Sequence, residues 1–122
     1  MNLKSDKVLS TLSIAAKAGK IVSGELSVEK AVKTGSAMLV IVADDASYRT
    51  KKRFTDMCTY YDVPVCIYSD KESLGHFIGK EFRASLCVVD EGLAASVMKK
   101  LAVQNELKQN NGGIVDVKNE NS

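Results

Sequence analysis

The segment MLVIVA at positions 38–43, about one third of the way along the chain, is entirely apolar. An unbroken apolar run of this length between polar segments is typical of a central strand that is covered on both faces. Two shorter apolar runs, at 65–68 and 86–89, predict two further strands, and Ile21 with Val22 predicts a brief strand at the edge. We therefore expect a sheet of four short strands.

The segments between these runs carry apolar residues at helical spacing. The first stripe follows Ser5, a candidate N-cap, and consists of Val8, Leu9, Leu12, Ala15 and Ala16. The second stripe precedes Pro64 and consists of Phe54, Met57, Cys58 and Tyr61. The last stripe follows Asp90 as its cap and consists of Leu93, Val97, Met98 and Leu101. With shorter helices at 25–34 and 74–79, the pattern predicts a three-layer α/β/α sandwich around a small mixed four-stranded sheet.

The length and the composition predict one domain with a polar extension. A chain of 122 residues suits a single core. From about Asn105 the helical pattern gives way to Asn, Gln, Lys and Glu, with two glycines at 112 and 113. We expect a single domain over residues 1–104 and a polar, flexible C-terminal tail over residues 105–122.

Several classes of protein do not fit the composition. No segment approaches the roughly 20 apolar residues that a membrane span requires, and the first residues lack the apolar stretch of a signal peptide. Cys58, Cys66 and Cys87 form no C-x-x-C pair, and the lone His76 has no partner at metal spacing. We therefore expect a cytoplasmic protein without a membrane partner, a metal, a cofactor or a small-molecule substrate.

Two polar motifs could indicate an enzyme or a signalling domain. Asp44 and Asp45 follow the central strand, where a phosphate-receiving domain would hold a cation, and Asp90 could be the phosphate acceptor. No lysine ends a later strand, so a loop and a helix cap are the favoured interpretation. The segment LGHFIGK at 74–80 is followed by Glu81 instead of Ser or Thr, and is therefore not a phosphate-binding loop. We expect no enzymatic activity, and the signalling domain is the least favoured hypothesis.

A nucleic-acid interface has better support. The net charge is only +2, but lysines are frequent in the first third of the chain, and a second basic group occupies positions 49, 51, 52 and 53. A solvated surface would give the same charge pattern. Gly24 precedes a helix, so the free N–H groups at that helix start could approach phosphates or base edges closely. Lys30 lies one turn later, and Lys17 and Lys20 lie upstream, within reach of an RNA backbone.

A family resemblance begins in the same stretch. The segment AAKAGKIVSG at 15–24 resembles the opening of the kink-turn RNA-binding ribosomal protein family, of the L-seven-Ae and L-thirty-e type. Further similar segments follow in the same order at 30–35, 39–47, 63–65 and 74–80. The resemblance spans about residues 5 to 102 and is greatest to the bacterial, ribosome-associated YlxQ-type members.

The resemblance implies the same α/β/α sandwich and a set of RNA contacts at one end of it. The start of the second helix would enter the widened groove of a kink-turn with Gly24, Glu25, Leu26, Ser27 and Lys30. A second loop before the last strand would pack on an extruded nucleotide with Glu81, Phe82, Arg83 and Ala84. Phe82 could stack on a base or pack in the core, and both interpretations stay open.

The resemblance further implies a non-enzymatic ribonucleoprotein component that binds structured RNA, either ribosomal RNA or its precursor, with the ribosome or its proteins as further partners. Archaeal and eukaryotic members have Asn and Glu where this chain has Leu26 and Ser27. Those polar side chains read G·A pairs, whereas leucine cannot form a hydrogen bond. The alternative is therefore a protein-interaction module on the same fold with a degraded RNA site, in which Leu26 belongs to a protein contact.

Overall fold

The computed structural model describes the backbone of residues 6–110 and the side chains of residues 6–104. Helices and strands alternate in the order α1 (Lys7–Lys17), β1 (Ile21–Ser23), α2 (Glu25–Lys33), β2 (Leu39–Val42), α3 (Tyr48–Tyr61), β3 (Val65–Ile67), α4 (Lys71–Phe77), β4 (Ser85–Val88) and α5 (Glu91–Asn110). The predicted alternation of strands and helices is confirmed.

The four strands form one mixed sheet in the order β1-β4-β2-β3. Strand β2 is parallel to β3, and β4 is antiparallel to both β1 and β2. Every residue of the two central strands, β2 and β4, is buried. Their apolar runs therefore form the centre of the core, as the unbroken run at 38–43 predicts.

The helices cover the sheet in two groups. On one face α2 packs beside α3, and the other group is formed by α1 with α4 and α5. The three-layer α/β/α sandwich predicted from the sequence is confirmed. Among the helices of the described residues, none is both long enough and apolar enough to cross a membrane.

Polar side chains mark where the helices begin. Asp90 caps α5 as predicted, accepting a hydrogen bond from Leu93 N at 2.9 Å. Ser47 caps α3 and accepts a hydrogen bond from Thr50 N at 3.1 Å. The prediction of Ser5 as the first cap was wrong, because the buried Asp6 accepts the hydrogen bond from Leu9 N at 2.9 Å. Helix α4 likewise begins at Lys71, three residues before the predicted start at residue 74.

Asp6 also makes a long-range contact. Its Oδ2 atom accepts a hydrogen bond of 2.7 Å from the Tyr68 hydroxyl, which lies just past β3. Burial of Tyr68, and then its hydrogen bond to Asp6, raise the pKa of that hydroxyl well above its ordinary value. The N-cap therefore links α1 to the end of the outermost parallel strand.

Helical spacing identified most of the core, with two errors. Phe54 and Cys58 on α3 are fully buried, as is Val97 on α5, but Tyr61 and Met98 are exposed. Helix α3 is 14 residues long, or about 21 Å, while β2 spans only about 13 Å, so β2 cannot cover the whole length of α3, and Tyr61 is the last residue of that helix. Met98 is about 100° around α5 from Val97, at the margin of the buried stripe.

Helix α5 is longer than predicted. It continues to Asn110, six residues beyond the domain boundary expected at residue 104. Good helix-forming residues such as Glu and Lys, here at Glu106 and Lys108, allow the helix to continue without apolar periodicity. The rest of the predicted tail, residues 111–122, lies outside the described residues.

Candidate nucleic-acid interface

The sheet topology brings several chain segments to one end of the molecule. Val42, the last residue of β2, is paired with Ser85, the first residue of β4, and with Ile67, the last residue of β3. Ser23, the last residue of β1, is paired with Leu86. Three strands therefore end, and β4 begins, at the same end of the sheet, which we call the Gly24 end.

Gly24 starts α2 in a conformation that suits an open helix end. Its dihedral angles are φ 97° and ψ 148°, a combination that is essentially restricted to glycine, and no side chain caps the helix. The first intrahelical bond runs from Val28 N to Gly24 O at 2.9 Å. The N–H groups of residues 25–27 thus have no acceptor within their own helix, and together with the helix dipole they favour anions or polar base edges.

The side chains that the sequence predicts as RNA contacts at this helix start are all exposed to solvent. Leu26 is 78% exposed, and Ser27 and Lys30 are also exposed. Glu25 is exposed as well but lies in an ion pair, with its Oε2 atom 2.6 Å from Nη1 of Arg53 on α3. The predicted residues are therefore presented together, although the charge of Glu25 is already matched.

The ion pair of Glu25 belongs to a network that joins α2 to α3. Arg53 also contacts Glu29, which accepts a second bond of 2.7 Å from Lys33. The hydrogen bond from Lys33, and then the one from Arg53, hold the pKa of the Glu29 carboxyl below its ordinary value. The sequence places Arg53 in the second basic group but does not indicate its pairing with Glu25, which lies 28 residues away.

The loop before β4 lies against the start of α2. Gly24 N donates to Ser85 O at 3.2 Å, and Arg83 Nε donates to Ser23 Oγ at 3.0 Å. Arg83 N also donates to Lys71 O at 3.1 Å, which fixes the loop to α4. These bonds join the two segments that the sequence predicted separately.

Phe82 lies in the loop of residues 81–84 before β4, here called the Phe82 loop. Its side chain is 65% exposed, which excludes the core-packing interpretation that the sequence left open. The neighbouring Glu81 is exposed, and Ala84 is packed against the core. The Arg83 guanidinium donates to the Phe82 carbonyl at 2.9 Å and so supports the turn that presents the ring.

Gly75 on α4 lies against the backbone of the same loop. A Cβ atom at this position would lie 1.3 Å from the carbonyl oxygen of Glu81, which no side chain could tolerate. The buried glycine therefore allows the loop backbone to lie directly on α4. The nearest atoms to this position belong to the backbone of Glu81 and Phe82.

Lys17 and Lys20 lie away from the start of α2. Lys20 precedes Ile21, which is paired with Val88 at the end of the sheet opposite to Gly24. Because β1 has three residues, about 10 Å separate its two ends. Lys17 lines a shallow cleft between α1 and α4 together with His76 and Gly79. The structure therefore does not bring these two lysines to the helix start.

Comparison with known proteins identifies the family. Residues 6–99 match the sequence model described as the Ribosomal protein L7Ae/L30e/S12e/Gadd45 family. The chain belongs to this family. It is 41% identical over 90 residues to the RNA-binding protein YlxQ of Bacillus subtilis, with 74% of this chain and 90% of the relative covered. The YlxQ protein of Enterococcus faecium is 34% identical over 88 residues, with 72% and 84% covered.

Solved structures of similar fold include two that align well with this L7Ae-family chain. A protein of unknown function from Bacillus halodurans C has a TM-score of 0.78 and 37% identity, with 80% of this chain and 99% of that chain covered. A 15.5kD RNA binding protein from Giardia lamblia has a TM-score of 0.71 and 22% identity, with 84% and 91% covered. The second similarity shows a shared fold.

The fold of this L7Ae-family chain separates the aspartates of the signalling-domain hypothesis. Asp44 and Asp45 follow β2 at the Gly24 end, whereas Asp90 follows β4 at the opposite end. Asp45 accepts a hydrogen bond from Lys71 N at 2.9 Å, and Asp90 caps α5. Within residues 6–104, no three His, Cys, Asp or Glu side chains are grouped to hold a metal ion. The geometry therefore does not support that hypothesis.

Proposed function

We propose that this chain is a non-enzymatic RNA-binding protein that recognises structured RNA at the Gly24 end of its sheet. The observation that carries the proposal is the junction between two segments. An uncapped helix start and an exposed phenylalanine loop are held side by side by the bonds of Gly24 and Arg83. Such a surface combines hydrogen-bond donors for a backbone or a base edge with an aromatic ring for an unstacked base.

Each part of this surface has a chemical role in the proposal. The N–H groups at the start of α2 and the Ser27 hydroxyl bind base edges or phosphates, and Lys30 binds a phosphate one turn later. Phe82 stacks on an extruded base. Glu25 does not repel the RNA strongly, because Arg53 balances its charge. Lys17 and Lys20 bind phosphates of a flanking helix that extends past β1.

The names of the relatives support RNA binding. Two relatives named YlxQ are described as RNA-binding proteins, and the Giardia neighbour bears the same description. We propose a kink-turn-like site in ribosomal RNA or its precursor as the target, which is bound in the cytoplasm. Because Leu26 offers no hydrogen bond to a G·A pair, the backbone N–H groups and Phe82 supply most of the recognition.

A direct titration tests the proposal. The purified full chain would be titrated against a labelled kink-turn RNA and against a straight duplex of the same composition, at two salt concentrations. We expect preferential binding to the kinked RNA at both concentrations. Equal and weak binding to both RNAs at low salt, lost at high salt, would contradict kink recognition and leave only a basic surface.

Charge variants locate the phosphate contacts. Replacing both Lys20 and Lys30 by alanine should weaken binding and flatten its dependence on salt, because fewer counterions are released. A matched control replaces Lys99 and Lys100, which lie on α5 in the other group of helices. An unchanged affinity and salt slope in the Lys20/Lys30 variant would exclude these two lysines from the interface.

One observation favours the alternative of a protein-interaction module. Leu26 and Phe82 are both large, exposed and near the same helix start, as in an apolar protein contact. Replacing Leu26 by asparagine distinguishes the two functions. If the natural chain does not bind kinked RNA and the Leu26→Asn variant does, the RNA site has been lost in favour of a protein contact. Tight binding by the natural chain excludes the alternative.

A further inference from the structure

A second exposed surface lies beside the start of α2, at the beginning of α3. Helix α3 follows β2, which ends at the Gly24 end of the sheet. Arg53 on α3 contacts Glu25, the first residue of α2, so the two helices are fixed next to each other at this end. Any residue on α3 that precedes Arg53 on the same side therefore lies beside or beyond the start of α2.

Arg49 is that residue. It lies four positions before Arg53, one helical turn closer to the Gly24 end and on the same side of α3. The other three cations of this helix have acidic neighbours. Lys51 pairs with Asp44 at 3.7 Å, Lys52 pairs with Asp56 at 3.0 Å, and Arg53 pairs with two glutamates. Arg49 is exposed, and within residues 6–104 no carboxylate lies within 4.0 Å of it. Its charge is available to an external anion.

Tyr48 adds an aromatic ring to this surface. It is the first residue of α3, and its side chain is 78% exposed. No side-chain hydrogen bond engages its hydroxyl within the described residues. An exposed aromatic ring can stack on a base and an unpaired guanidinium can bind a phosphate, so these two consecutive residues at the start of α3 suit a nucleic-acid strand.

We infer that Tyr48 and Arg49, here called the α3 patch, form a second RNA contact that is continuous with the start of α2. Arg49 binds a backbone phosphate, and Tyr48 stacks on a base or ribose in the RNA just outside the segment held by Gly24 and Phe82. The inference rests on the proposed function and extends its footprint from α2 onto α3. Two observations select RNA as the occupant, namely the unpaired positive charge and the continuity with the helix start.

Four single variants test the α3 patch. Tyr48→Ala removes the ring, and Arg49→Gln removes the charge. Tyr60→Ala is a matched control, because Tyr60 lies on the same helix and is 81% exposed, but near the opposite end of α3. Lys99→Gln, on α5, controls for the loss of one exposed positive charge. All four positions are exposed, so circular dichroism should show unchanged folding.

The variants would be titrated against kink-turn RNA with long flanking helices at several salt concentrations. We expect Tyr48→Ala to weaken binding by about fivefold or more, and Arg49→Gln to reduce the salt slope by about one. The Tyr60 and Lys99 variants should bind like the natural chain. Affinity unchanged in both patch variants would overturn the inference and leave the α3 patch to a protein partner.

The same titrations separate this inference from the proposed function. One outcome is that the natural chain prefers kinked RNA and that Lys30→Ala weakens this binding. If both patch variants then bind kinked RNA like the natural chain, only the inference fails. If the natural chain shows no preference for kinked RNA, the proposed function fails, and the inference fails with it.

Discussion

At the scale of single residues, the conformation of Gly24 determines how the chain enters α2 at the proposed RNA-binding end. Its φ of 97° with ψ of 148° allows the chain to turn from β1 directly into α2. Residues other than glycine rarely adopt these backbone angles. The position is otherwise open, since a Cβ atom there would have no heavy atom within 4 Å. The requirement for glycine is therefore conformational rather than steric.

Replacing Gly24 by alanine should consequently lower the free energy of unfolding by about 1–3 kcal/mol. RNA affinity should fall as well, because the helix start would shift to relieve the strained angles. Urea unfolding followed by circular dichroism measures the first effect, and the kink-turn titration measures the second.

Gly92→Ala is a matched control for this substitution. Gly92 has no positive φ, and a Cβ atom there meets only Asp90 Oδ2 at 3.5 Å, an ordinary contact. Alanine within the first turn of α5 should be neutral or stabilising by about 0.5–1 kcal/mol. Equal stability losses in the two variants would contradict the assignment of strain to Gly24.

Individual residues also show where sequence reasoning reached its limit. The first cap is Asp6 and not Ser5, and Asp6 also accepts a hydrogen bond from the Tyr68 hydroxyl, 62 residues away, which local sequence does not indicate. Whether Phe82 belongs to the core or the surface could not be decided from its neighbours in sequence. Burial of such a residue depends on where the loop lies on α4, which local composition does not determine.

Side-chain ion pairs join α2 to α3. Arg53 reaches Glu25 and Glu29, and Lys33 completes the network from within α2. Exposed ion pairs contribute little to stability. Their consequence here is electrostatic, because they balance a carboxylate at the start of the proposed RNA-binding helix.

Arg53→Gln should therefore affect RNA binding more than folding. The unmatched carboxylate of Glu25 would repel phosphates, and this repulsion should be weaker at high salt, where charges are screened. The pKa of Glu29 should rise towards its ordinary value, because one of the two groups that lower it is removed. An NMR titration of the glutamate carboxyls measures this rise.

A charge-neutralising second change checks the cause. Adding Glu25→Gln to Arg53→Gln should restore much of the lost RNA affinity. A double variant that binds as weakly as Arg53→Gln alone would show that Arg53 acts by another route, such as direct contact with RNA.

The contact between the Phe82 loop and α4 gives a second prediction at the scale of secondary-structure elements. Gly75→Ala would place a methyl group on the Glu81 carbonyl, so the loop must move away from the helix. We expect a loss of stability of about 1–3 kcal/mol, the usual cost of overpacking. RNA affinity should fall together with it, because Phe82 would be displaced. Stability and affinity equal to those of the natural chain would contradict direct packing of the loop backbone on the helix.

The whole molecule was largely predictable because its strands and helices have clear patterns. The apolar run at 38–43 became β2, and the alternation of strands and helices gave the layered fold. The relative positions of the site residues were less predictable, since they depend on strand order. Antiparallel pairing of β1 with β4 places Lys20 at one end and Gly24 at the other. Topology also brings Arg53 to Glu25, and no local pattern indicates either relation.

Two buried thiols, Cys58 and Cys87, and the partly buried thiol of Cys66 give the stability of the whole fold a dependence on alkaline pH. Burial raises the pKa of Cys58 to about 11 and of Cys66 and Cys87 to about 12, from an ordinary value of 9.0. Below pH 9 the thiols are protonated in both the folded and the unfolded chain, so their full contribution is present. Above pH 9 the unfolded chain loses these protons first, and stability falls as the pH rises towards the folded values.

Urea unfolding at pH 8, 9 and 10 should show this decrease. Each thiol contributes a slope that approaches about 1.4 kcal/mol per pH unit above its unfolded pKa. Cys87→Ala, which removes one of the three groups, should reduce the slope even if it lowers stability at pH 8. An identical slope in the variant would mean that other groups cause the decrease.

The central claim is that the start of α2 and the Phe82 loop form one RNA-binding surface. The most direct measurement is an NMR titration of the nitrogen-15-labelled chain with kink-turn RNA, which reports on each amide separately. We expect the largest shift changes at Glu25, Leu26, Ser27, Phe82 and Arg83, with little change at Tyr60 or Lys99. Shift changes confined to residues outside the Gly24 end would contradict the claim, even if the RNA binds tightly.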